Sequence, residues 1–97
     1  MRAIMDLVNK IDEELKDAKD YAERYVEYKA KGKNNNVFHS MSEQELNHAN
    51  QIHDIALTEI DELEKVFKPT EEMKKIWSDS HSNYVEKTAW IKMMLAM

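Results

Sequence analysis

The sequence predicts an all-α chain, an antiparallel helical hairpin plus a third helix, and three observations carry that reading. One Gly and one Pro in 97 residues leave little material for turns. Apolar positions recur every three or four residues between the 34% that are charged, the spacing of helices with one buried face. Only two short stretches, "KGKNNN" at 31–36 and Lys68-Pro69-Thr70, break that rhythm.

The elements follow in order. Nothing interrupts a helix from Met1 to about Ala30, so the first spans about 2–30. Gly32 can take the left-handed conformation that closes a helix, and an Asn within 34–36 can cap the next start. The second helix then spans about 36–67. Pro69 disfavours helix at the residue before it, Thr70 is placed to cap the third helix, and Glu71-Glu72 suit its positive end. That helix covers about 71–96, with "SDSHSN" (78–83) as its weakest stretch, six poor helix formers in a row. Links this short predict three helices running up, down, up as antiparallel neighbours in a single domain, 1–97.

Composition excludes several functions. A net charge of −5 and a pI near 5.3 argue against a nucleic-acid surface. Without cysteine there is no disulfide, zinc finger or thiol chemistry. No apolar run approaches the roughly 20 residues of a membrane span. The N-terminus mixes Arg2, Asp6 and Lys10 into its apolar residues, unlike a signal peptide. A soluble, cytoplasmic protein is the expectation.

Two core stripes contain residues that do not belong in an apolar interior. On the first helix Ile4, Leu7, Ile11, Glu14, Ala18, Tyr21, Tyr25 and Tyr28 form a seam, and Glu14 is its one acid. On the second, Phe38, Met41, Glu45, His48, Ile52, Ile55 or Ala56, Ile60 and Leu63 form another, so Glu45 and His48 are expected to point inward. The third helix offers Met73, Trp77, Tyr84, Thr88, Ile91 and Leu95, with His81 beside the stripe. His39 and His53 read as surface residues. A hairpin turning at Gly32 sets Glu14 level with His48 and within a turn of Glu45. No inward Lys or Arg is expected at that height. Two buried carboxylates cost several kcal/mol each unless compensated. Protonation, an Arg or Lys, or a metal could compensate them, and a divalent metal held by carboxylate oxygen and imidazole nitrogen is the economical solution. The alternative is a hydrogen-bonded polar layer fixing the register of a non-enzymatic helical interaction module.

At these residues the chain resembles the ferritin-like superfamily, through Glu14 with Tyr21 seven later, then Phe38-x-x-Met41 leading to Glu45-x-x-His48-Ala49. The likeness covers about residues 4–63. It implies a helical scaffold for a di-iron centre, or one of manganese or another divalent metal, that oxidises Fe(II) with oxygen or peroxide. Several features depart from a full four-helix domain. The Pro69 link is short, no second Glu-x-x-His exists, and Asp79, His81 and Glu86 do not match the second-half pattern. Asp17 stands where many relatives have a small residue. The chain is therefore most similar to the half-ferritin type of encapsulated ferritins, though "IKMMLAM" does not resemble an encapsulin-targeting peptide and reads as a truncation or an oligomer contact. That type implies a homodimer completing a four-helix bundle, with two ions at its interface held by Glu14, Glu45 and His48 of each copy. Tyr21, Asp17 and His81 are then candidates for supporting positions around the metals, and iron oxidation or storage is the expected function.

Overall fold

The computed structural model describes residues 2–97, which form three helices and no strand. Helix α1 spans Arg2–Ala30, α2 spans Asn36–Val66 and α3 spans Glu71–Leu95. They make a rod of 55 × 18 × 17 Å. The expected first helix, about 2–30, agrees with α1, and Met1 lies outside the described residues.

Local chemistry accounts for the breaks. Gly32 has φ 66°, the left-handed value that costs glycine nothing, and its N–H donates to the Lys29 carbonyl. Asn35 is the residue before α2, yet its side chain makes no cap bond there. Instead Asn34 Oδ1 accepts from the Asn36 N–H at 3.3 Å. Thr70 does cap α3, its hydroxyl accepting from the Met73 N–H at 3.2 Å. The polar stretch 78–83 neither bends nor frays: α3 is continuous through it. Burial of Ser80 against the hairpin and Asn83 Nδ2 donating to Asp12 at 3.3 Å outweigh weak helix propensity.

The hairpin register is set by pairs across α1 and α2. Tyr28 meets Phe38 edge to face, Tyr25 meets His39 in the same way, and Ser42 Oγ donates to the Ala18 carbonyl at 2.7 Å. Small residues line the centre of this seam: Ala18, Ala22, Ser42, Ala49 and Ala56 are each fully buried. Their size lets the two backbones approach closely, and the serine hydroxyl has its partner on the facing helix.

The buried faces are rotated from the expected stripes. On α1 the most buried positions include Val8, Leu15 and Ala22, while Leu7, Tyr21 and Tyr28 are only half-buried. On α2 they are Ser42, Leu46, Ala49, His53 and Ala56, while Met41, Glu45 and Ile52 are half-buried. The cause is α3. It lies along one side of the hairpin, where Ile91 and Met94 close the core with Leu15 and Leu46. Among the described residues no third helix covers the other side of the hairpin, which bears half-buried Tyr21, Tyr28 and Met41 and the exposed Ile55. No helix is long and apolar enough to cross a membrane among the described residues.

Candidate metal centre

Glu14 sits midway along α1, on the flank away from α3. It is buried, 8% exposed, between its own helix and α2. Across the seam, Glu45 and the residue one helical turn later, His48, occupy the same flank of α2. The register derived from small-residue packing brings the three together. One ligand atom from each of Glu14, Glu45 and His48 lies within 4.8 Å of the others. Glu14 Oε2 is 3.8 Å from His48 Nδ1.

The electrostatics are those of two acids forced to share a space. The hydrogen bond to Glu14, loss of water and the charge of Glu14 together push the Glu45 carboxyl up to about 7. Glu14 moves the other way, held below the usual carboxylate range first by the hydrogen bond from Glu45 and then by Lys10. Proximity thus drives the two acids apart, Glu45 towards its protonated form and Glu14 towards its charged one. Asp17 adds negative charge that also raises Glu45, but it is exposed and is not one of the three converging groups.

Two expectations are corrected here, for His48 and His81. His48 does not point into the core: its side chain is 53% exposed, because the flank carrying it has no third helix above it. Among the described residues no inward Lys or Arg stands at that height, as expected, but the exposed Lys10, one turn before Glu14, reaches Glu14 Oε1 at 3.3 Å. Its ammonium arrives along the helix surface on a flexible stem, from a position outside the inward stripe. His81 is not beside this cluster. It meets His53, whose Nε2 is 3.1 Å from His81 Nδ1.

His53 itself was expected at the surface and is buried, 7% exposed. It stands seven residues after Leu46 and four after Ala49, both core positions, and that spacing was the signal available in the sequence. His39 is half-buried, with Nδ1 2.6 Å from Glu43 and Nε2 3.0 Å from the Leu95 carbonyl. Tyr21 is half-buried on the flank that carries Glu14.

The donor set fits a divalent cation. Two carboxylates and an imidazole suit iron, manganese or zinc, and a positive ion would relieve the repulsion that now lifts Glu45. Ligand spheres of about 2.0–2.2 Å require these atoms to draw in slightly, which the exposed His48 ring can do.

The pH dependence of the metal-free protein follows from these shifts. A carboxyl whose pKa is raised on folding contributes stability that is full below its unfolded value, near 4.5, and is lost as pH rises through about 7. His53, lowered by burial and by His81, slopes the other way: its contribution is present above its unfolded value and lost as pH falls through the folded one. The readout is therefore the difference between wild type and Glu45→Gln. In chelator-treated protein, urea unfolding should show wild type losing stability relative to Glu45→Gln between about pH 5 and 8. Parallel curves for the two proteins would show that Glu45 titrates normally.

No protein-family model matches the chain, and no curated protein or solved structure matches it either.

Proposed function

We propose that the chain binds divalent metal through Glu14, Glu45 and His48, and that two copies pair through the uncovered flank of the hairpin to hold two ions between them. The single observation that supports this most is the convergence of those three donors on the one side of the hairpin that α3 leaves open. The same side carries half-buried Tyr21 and Met41 and the exposed Ile55, apolar surface suited to a second copy. In such a pair each protomer supplies half of the ligands. The Glu14 and Glu45 carboxylates neutralise the ions, and the His48 imidazole completes each set from its exposed edge. Tyr21, two turns after Glu14 and half-buried, is the proposed supporting residue on that flank. Iron held by these residues would supply redox chemistry towards oxygen or peroxide, so iron oxidation or storage is the activity this reading favours.

A second reading has its own support. Lys10 lies 3.3 Å from Glu14, and the raised Glu45 carboxyl favours its neutral form, so part of the charge is offset without any metal. A dimer seam whose polar layer fixes register needs no more than that, and the chain would then be an interaction module rather than an oxidoreductase.

Metal analysis joined to light scattering separates the two. The metal-binding reading expects two ions per 23 kDa dimer, roughly twice the 11.5 kDa chain, and dissociation or weaker pairing on chelation. A dimer that neither retains metal nor responds to chelator supports the polar-layer module. A monomer at micromolar concentration with metal present removes the shared site.

A further inference from the structure

We propose that His53 and His81 form a second, separate metal site, a two-imidazole clamp between α2 and α3 that takes copper, zinc or nickel rather than iron. The two rings come from different helices, with His53 Nε2 and His81 Nδ1 facing each other 3.1 Å apart. Two nitrogens bound to one ion at about 2.0–2.1 Å, with an angle of 90–110° between them, lie about 2.9–3.4 Å apart. The observed separation falls inside that window. An ion replaces the single proton that the two nitrogens share, and the exposed His81 ring turns to aim its lone pair.

The surroundings hold His53 ready for such a role. Its ring stacks on Tyr84 with centroids 4.0 Å apart and planes 9° apart, and lies 5.7 Å from Trp77. Tyr84 in turn donates to Asn50 Oδ1. These aromatic walls fix the orientation of a buried ligand, as supporting contacts do in built sites. Burial and the neighbouring His81 keep His53 neutral, the form that ligates. The Asp54 carboxylate acts electrically on both His53 and Tyr84 and so favours a cation here. His81 is exposed, which leaves the remaining coordination positions to water.

Donor chemistry separates this site from the first. Two imidazoles without a carboxylate between them suit copper, zinc or nickel, whereas the Glu-rich flank suits harder ions. The clamp also has a mechanical consequence. Both α2 and α3 pack chiefly on α1, and among the described residues the side-chain hydrogen bonds between α2 and α3 are the histidine pair, Tyr84 with Asn50, and His39 with the Leu95 carbonyl. An ion across His53 and His81 ties α3 to the hairpin directly.

The test uses the full chain carrying Glu45→Ala and His48→Ala, so that failure of the first site cannot be mistaken for failure of this one. Copper(II) is added below one equivalent and its electron paramagnetic resonance spectrum recorded at neutral pH. One copper per chain with hyperfine structure from two imidazole nitrogens is expected, together with a raised melting temperature. Adding His81→Gln, an exposed substitution that leaves the core intact, should weaken copper binding at least tenfold and remove the two-nitrogen signature. An unchanged spectrum and affinity in His81→Gln would overturn the proposal. So would a spectrum assigned to the amino terminus or to His39. A drop in melting temperature without any change in copper binding would show that the pair is only a hydrogen bond, and would overturn it too.

Discussion

Glu14→Ala is expected to abolish accelerated oxidation of Fe(II) in air while leaving some metal binding behind. Glu45 and His48 stand one turn apart on a single helix, and they remain as a two-point anchor when Glu14 is gone. Glu14 comes from the other helix of the hairpin and is the most buried of the three. Its loss opens the cluster on the side where the partner protomer would meet it. Two-metal chemistry requires the ions to be held roughly 3.5–4 Å apart, and a site reduced to one pair of ligands on one helix does not impose that spacing. Removing even a supporting group around a metal costs about 10–100-fold in affinity or activity, so loss of a direct ligand should cost at least that. Stopped-flow absorbance on wild type and Glu14→Ala gives the comparison. Equal rates remove Glu14 from the mechanism, and no acceleration by either protein favours the polar-layer module.

Leu15→Ala should produce the largest loss of stability, about 2–5 kcal/mol, the usual range for a buried leucine truncated to alanine. Leu15 has no exposed surface and belongs to the cluster in which α1, α2 and α3 all take part, with Leu46, Ile91 and Met94 around it. Rigid helices on three sides limit how far that cavity can collapse. For a domain of this size each kcal/mol lowers the melting temperature by about 4–8 °C, so a fall of ten degrees or more is expected. Ile55→Ala provides the contrast. Ile55 is 51% exposed on the uncovered flank, and its truncation should change the stability of the monomer by less than about 0.5 kcal/mol. Calorimetry at low protein concentration checks both. A Leu15→Ala loss under about 1 kcal/mol would mean that the three helices do not share one core.

The helices and their ends were open to reading in the amino-acid sequence because they depend on local chemistry. A single glycine after Lys31, a threonine before two glutamates and a proline at 69 act through their own and neighbouring dihedrals, and the structure has its breaks there. The meeting of Glu14 with Glu45 and His48 was also within reach, since a short link fixes hairpin register to within a turn.

What the sequence left undecided was the side of the hairpin on which α3 lies. Periodicity marks an apolar sector on each helix but does not say which half of that sector faces a third element. With α3 against Leu15, Leu46 and His53, the centre of burial moves around both helices. His53 goes inside, and His48 is left at the edge of an open flank. His81, which the sequence set vaguely near the acids, is drawn to His53 instead. Lys10 reaches Glu14 through a long side chain that no core pattern includes. These outcomes depend on contacts between residues far apart in the chain, and only tertiary packing chooses among them.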